Sequence, residues 1–292
     1  MERGVDEKEV RPLAEKFFEE CIAENVAVSA SADEPQTARV LVRLKEEAVK
    51  VCSALRVEAE RSSYKPVYVE QYIGGEEIPA LKVDIGDGEV ELRGRIDRVD
   101  ALDDKFFVVD YKTYKGAKFK LAEIYSGMKI QLYLYLAAIR EAKGWRPVGA
   151  FYLPVSFDFS SEDWSLRYRG NMTDDLAEAK LIAPDFGEPT AHFAAPDARG
   201  AMKEPNFFSD DAFRSVTAYV KRLAEEGAKG IAEGRVDALP LKDVCDRCDY
   251  RDICVWKGSR CLSASGRIMV KDFASGGAPR SKLNYAADEE DV

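Results

Sequence analysis

Leu92-Arg93-Gly94-Arg95-Ile96-Asp97-Arg98-Val99-Asp100 and, just beyond it, Phe106-Phe107-Val108-Val109-Asp110-Tyr111-Lys112-Thr113 decide how this chain is read. Both stretches have the apolar content of strands, and Asp103-Asp104 joins them. Asp97, Asp110 and Lys112 fall toward strand ends. Two carboxylates and an ammonium are costly to place there unless something charged sits between them. A divalent metal bound to a phosphate meets that need. Lys112 lies two residues past Asp110, so on a strand both side chains point to one face.

Working outward, the preceding chain reads as helices over 6–25 and 37–61, with Val40, Leu41, Leu44, Ala48, Val51 and Leu55 at helical spacing. Ser29 to Pro35 is a polar connector. Pro66 to Ile73 alternates as a strand that carries Glu70 on its polar face, and Leu81 to Ile85 is a short strand. Gly86-Asp87-Gly88 signals a hairpin turn into a strand over 90–99. Downstream, Leu121 to Lys143 reads as one long helix ended by Gly144 and followed by Pro147. Val148 to Val155 is a further strand, Trp164 to Arg169 is a candidate for another, and 183–206 is a surface excursion. Asp210 to Glu233 is a helix. From Ser263 the chain is Ser, Gly, Ala and charge, and is expected to be disordered. The pattern implies an α/β arrangement around one mixed, mostly antiparallel sheet.

The bulk numbers narrow the function classes. The 292 residues carry a net charge of -10, which disfavours nucleic-acid binding by the whole surface and leaves binding by a local strip or through metal. Lys112, Lys115, Lys118, Lys120 and Lys129 form a local basic cluster, a pattern that a solvated helix face also produces. No apolar run is long enough to span a bilayer, and the residues after Met1 lack a secretory signal's apolar core, so the expected location is the cytoplasm.

Phosphodiester hydrolysis needs a polarised phosphate and an activated water, work that a divalent ion does well. Mg²⁺ takes oxygen ligands and keeps several waters, so few carboxylates suffice. Asp97 and Asp110 on adjacent strands, the Tyr111 carbonyl and Glu70 are the candidate ligands. Lys112 is placed to orient the water or neutralise developing charge. Gln131 and Tyr135, four residues apart on the next helix, share one face. Each residue alone has a bland explanation, an Arg95 or Arg98 ion pair for Asp97 among them. The ordered set is specific: G-x-x-D-R, then D-x-K, then Q-x-x-x-Y.

With its matching strand-strand-helix order, that set resembles the RecB-type branch of the PD-(D/E)xK nucleases. More narrowly it is similar to the C-terminal nuclease domains of AddB subunits in AddAB helicase-nucleases. The likeness also takes in Ile124-Tyr125-Ser126-Gly127-Met128-Lys129-Ile130-Gln131 and Gly149-Ala150-Phe151-Tyr152-Leu153-Pro154, and covers most of 65–256. It implies a restriction-endonuclease-like core, a mixed sheet flanked by helices. The implied nuclease domain spans 1–262: a helical start (1–62), a catalytic core (63–182), and a C-terminal helix with cysteine cluster (205–262). It further implies a Mg²⁺- or Mn²⁺-dependent DNA exonuclease cutting single strands beside an AddA-like helicase partner, in double-strand-break repair and recombination. The alternatives are a catalytically inactive DNA-binding or scaffolding domain of the same fold and, on the cysteines alone, a zinc adaptor.

Four of the six cysteines crowd the C-terminal end, three of them as Cys245, Cys248 and Cys254 in C-x2-C-x5-C. In a reducing compartment such spacing points to metal before disulfide, zinc and iron-sulfur both qualifying. The resemblance implies three ligands of a structural [4Fe-4S] cluster completed by an upstream cysteine. That cysteine has no counterpart at the family's position. Cys21, Cys52 and Cys261 are the substitutes, so the chain is expected to be the nuclease end of a longer protein with an incomplete cluster. The family's first-helix histidine is also missing. The only histidine, His192, lies in the surface excursion.

Overall fold

The computed structural model describes residues 7–113, 119–155, 167–188, 193, 202, 206–236, 240–241, 244–245, 248–254, 260–264, 268–273 and 283–287. The chain begins with α1 (Glu7–Glu24), a short α2 (Val26–Ala30) and α3 (Pro35–Arg61). Pro35 opens α3 in its first turn, where its missing amide costs nothing. The strands that follow are β1 (Lys65–Ile73), β2 (Leu81–Asp84), β3 (Glu89–Leu92), β4 (Gly94–Leu102) and β5 (Lys105–Lys112). Then come α4 (Leu121–Tyr125), α5 (Gln131–Lys143), β6 (Arg146–Pro154), β7 (Arg169–Thr173), α6 (Leu176–Ile182), β8 (Phe207–Phe208) and α7 (Asp210–Ala232).

Six strands form the main sheet in the order β1-β4-β5-β6-β7-β8. β5 and β6 run parallel, as do β7 and β8, and the other neighbours are antiparallel. The parallel β5-β6 pair needs a crossover, and α4 and α5 supply it. This mixed sheet flanked by helices is the architecture expected of a restriction-endonuclease-like core. On one face Val99, Phe106 and Val108 pack with Leu132 and Leu136 of α5 and with Val216 and Tyr219 of α7. On the other, Phe107, Val109, Phe151 and Leu153 pack with Tyr64 and Ile182. Alternation along β5 therefore places Asp110 and Lys112 on the α5 face, in line with Phe106 and Val108.

Two elements expected to be continuous are divided. Residues 90–99 form two strands in two sheets: β3 pairs with β2, and β4 pairs with β1. The join falls at Arg93-Gly94, where the isolated glycine is its one mark in the pattern. The helix expected over Leu121–Lys143 stops at Tyr125 and resumes at Gln131. Gly127 has φ +92, a left-handed conformation that a helix cannot carry and that glycine adopts freely. The far end is as expected, with Gly144 capping α5 at φ +71.

Half of the candidate strand at Trp164–Arg169 lies outside the described residues; β7 begins at Arg169. The tail is ordered where it is described. β9 (Arg260–Ala264) pairs antiparallel with β10 (Leu283–Ala287). A 3-10 turn over Val270–Phe273 buries Phe273, whose ring meets Tyr125 and Tyr219 at 5.5 and 5.0 Å between centroids.

One irregularity sits at the site. Ile96 and Val99 of β4 both belong to the buried cluster on the α5 side. Across the ladder, between the pairs Val69↔Arg98 and Gln71↔Ile96, Glu70 has φ +52. That is a left-handed conformation uncommon for a residue with a side chain, and such positions concentrate at functional sites.

Candidate active site

The β4-β5 ladder starts at Arg98↔Val109, so Asp97 and Asp110 stand where the two strands part. Asp97 completes the pairing with its side chain. Its Oδ2 accepts the Tyr111 amide hydrogen at 2.7 Å. A strand residue turns its amide and carbonyl to the same side, so the Tyr111 carbonyl faces the same gap. The Tyr111 ring belongs to the opposite face, beside Phe107 and Val109, where the Arg98 charge lies close enough to act on its phenol.

Asp110 is 2% exposed. Burial pushes its pKa up, Lys112 pulls it down through hydrogen bond and charge, and the Asp97 carboxylate pushes it up again. Oδ2 of Asp110 forms an ion pair with Lys112 Nζ. Lys112 Nζ also lies 5.2 Å from the ring centre of Tyr152, which is across from Asp110 on β6. The ammonium is thus held between a carboxylate and an aromatic face.

The first turn of α5 covers this group. Gln131 Nε2 donates to the Tyr135 hydroxyl at 2.6 Å, and that hydroxyl donates to the Arg95 carbonyl at 2.5 Å. The chain of bonds ties α5 to the start of β4. Burial raises the Tyr135 pKa, the Gln131 hydrogen bond opposes it, and the charges of Asp110, Asp97 and Glu70 add to the rise. The phenol is therefore within electrostatic reach of all three carboxylates.

Five of the expected residues, Asp97, Asp110, Lys112, Gln131 and Tyr135, gather at one place on one face of the sheet. Glu70 is at its edge. Its exposed carboxylate lies 3.6 Å from Arg95 Nη1, and among the described residues no three His, Cys, Asp or Glu side chains form a metal-holding group. The donors that converge are two carboxylates and a carbonyl. A buried carboxylate, an adjacent carboxylate and a strand-end carbonyl are all oxygen donors, the type that suits a hard divalent cation that keeps water on its remaining positions.

The ion pairs considered for Asp97 are made elsewhere. Arg98 crosses to the opposite face and grips Asp100 through Nε and Nη2 at 2.6 and 2.5 Å, both side chains buried. Burial disfavours both charges and raises the Asp100 pKa; at Arg98 the Asp100 carboxylate outweighs it and raises the guanidinium pKa further. The i, i+2 spacing of Arg98 and Asp100 on a strand is a sequence signal by which this pair could have been found. The Tyr152 ring and the Arg95 carbonyl carry no such signal.

Of the lysine cluster, Lys120 is exposed, Lys129 pairs with Glu123 at 2.8 Å, and Lys115 and Lys118 lie outside the described residues. Cys245, Cys248 and Cys254 are free thiols on successive turns, where Cys248 N donates to Cys245 O at 3.3 Å and Cys254 N to Tyr250 O at 2.8 Å. The donor type suits zinc or iron-sulfur; the side chains do not come together as a ligand group. Cys21 and Cys52 are free and at the surface, the side chain of Cys261 is not described, and His192 lies outside the described residues.

A carboxylate pair and a lysine thus meet at the parting of two strands, under a Gln-Tyr helix. Residues 2–255 match the PD-(D/E)XK nuclease superfamily, and the chain belongs to that superfamily. Among curated proteins it is similar to the B subunit of the ATP-dependent helicase/deoxyribonuclease of Symbiobacterium thermophilum, 32% identical over 65% of this chain and 19% of that protein. The corresponding B subunits from Clostridium novyi and Acetivibrio thermocellus are each 27% identical, over 73% and 87% of this chain and 21% and 24% of theirs. The chain thus spans about a fifth to a quarter of the length of these relatives. No helix among the described residues is long and apolar enough to cross a membrane.

Proposed function

We propose that this chain is a metal-dependent deoxyribonuclease of the exonuclease type that cuts single-stranded DNA. The observation that carries the reading is the convergence of buried Asp110 with Asp97 and Lys112 where β4 and β5 part. Asp97, Asp110 and the Tyr111 carbonyl would hold Mg²⁺ or Mn²⁺, with Glu70 joining if it leaves Arg95. A bound ion supplies Lewis acidity to the phosphate and the water. Lys112, steadied by Asp110 and Tyr152, orients the attacking water and offsets charge on the phosphate. The Gln131-Tyr135-Arg95 chain fixes the wall against which the strand lies.

The relatives' names describe helicase/deoxyribonuclease subunits, so we place the activity in a larger assembly with an AddA-like motor partner that feeds it DNA for break repair and recombination. A surface of net charge -10 suits a nuclease that is handed its substrate. We further propose that Cys245, Cys248 and Cys254 supply three ligands of a structural [4Fe-4S] cluster. Iron and sulfide analysis of anaerobically purified protein tests this, and stoichiometric zinc would overturn it.

The decisive experiment compares wild type with Asp110→Asn on a labelled single-stranded oligonucleotide in Mg²⁺, with far-UV circular dichroism as the fold control. The expected result is a loss of cleavage of at least ~100-fold with the fold retained. Cleavage at the wild-type rate by Asp110→Asn would remove these residues from the chemistry.

A further inference from the structure

Beside the carboxylates an open groove of about 530 Å³ runs between the β2-β3 hairpin and the start of α5. Its volume lies in the range that seats a small ligand. Ile73, Leu81 and Leu92 form one apolar wall, and Met128, Ile130 and Leu134 face them. The groove exists because of the two interruptions the sequence conceals. The break at Gly127 swings residues 128–130 out of the helix, and the division of 90–99 lifts β3 off the main sheet. Tyr135 and Gln131 line its inner end, so it is continuous with the candidate active site.

Two arginines stand at the groove. Arg93 pairs with Glu91 at 2.7 Å and Arg95 with Glu70 at 3.6 Å, all four side chains well exposed. Exposed pairs of this kind are weak and readily exchanged for a better anion. A phosphodiester is such an anion, since guanidinium binds it through two parallel hydrogen bonds. If Glu70 turns to a metal, Arg95 is released at the same moment. An apolar slot of this size under a pair of exchangeable arginines, opening onto a phosphate-cleaving site, matches a nucleotide: base inside, phosphate at the rim.

We propose that this groove seats one unpaired nucleobase of the strand being cut, next to the scissile linkage, while Arg93 and Arg95 hold the flanking phosphates. The proposal rests on the nuclease reading and adds what that reading lacks, a reason for single-strand preference. A base in a duplex is stacked and paired and cannot enter a side slot. Only unpaired nucleotides reach the carboxylates with their base housed.

The test uses the whole chain and single-stranded DNA 30-mers carrying one abasic nucleotide at successive positions. Cleavage is mapped in Mg²⁺, and binding is followed separately by anisotropy with Ca²⁺ in place of Mg²⁺. One abasic position next to the cut is expected to lower kcat/KM about tenfold, the scale of one stacked base. Arg93→Glu is expected to raise KM more than it lowers kcat and to weaken binding in Ca²⁺. Cleavage indifferent to every abasic position and to Arg93→Glu would overturn the groove and leave the nuclease reading standing. Absence of cleavage together with Arg93-dependent preference for base-bearing over fully abasic DNA would overturn the nuclease reading and keep the groove. Neither cleavage nor binding would defeat both.

Discussion

Arg98→Met is the perturbation that tests how the strands carrying the candidate site are held. Arg98 follows Asp97 directly but serves the other side of the sheet, where it grips Asp100 with two short hydrogen bonds and its charge acts on the Tyr111 phenol. Side-chain exposures are 7% for Arg98 and 1% for Asp100, so water cannot replace a lost partner. Breaking a buried pair by removing one member costs about 3–5 kcal/mol, because a charge is left without compensation. At about 2–4 °C per kcal/mol for a chain of roughly this size, the melting temperature should fall by roughly 6–20 °C. The double variant Arg98→Met, Asp100→Leu removes both charges and keeps much of the volume, and such replacements are often neutral. It should recover most of the loss. Thermal and urea unfolding followed by circular dichroism read both effects. A single variant as stable as wild type, or a double variant no better than the single, would refute the buried-pair argument.

Tyr135→Phe deletes the hydroxyl that bonds Gln131 and the Arg95 carbonyl, and should lower stability by about 1 kcal/mol in urea titrations. An unchanged midpoint would mean that α5 is not tied to β4 there. Phe273→Ala empties a site 1% exposed between Tyr125 and Tyr219 and should cost about 3–5 kcal/mol, with a reduced near-UV signal from those tyrosines. A wild-type melting curve would show that the 3-10 turn is not part of the core.

What is legible in the sequence follows from the period of each element. Asp110 and Lys112 read onto one face because a strand alternates by two, and the alternation of β5 through Phe106 and Val108 holds to its end. Gln131 and Tyr135 read together because a helix repeats near four, and they hydrogen-bond. What is not legible are the places where a period is interrupted without changing composition. β3 passes into β4 with the isolated Gly94 as the one mark of the join, and Gly127 lies in a window apolar enough to pass for helix. Glu70, with φ +52, breaks a rule that its residue type does not announce. Ile268 and Phe273 belong to a short apolar island, Ile268-Met269-Val270 and Phe273, in a Ser- and Gly-rich stretch, where averaging over a window dilutes them, although both are buried. The hidden interruptions at Gly127, between β3 and β4, and at Glu70 border the same groove and carboxylate pair. A regular sheet and an unbroken helix would pack closed there. The irregular joins leave an open groove between them, so the features hardest to read locally are the ones that shape the candidate site.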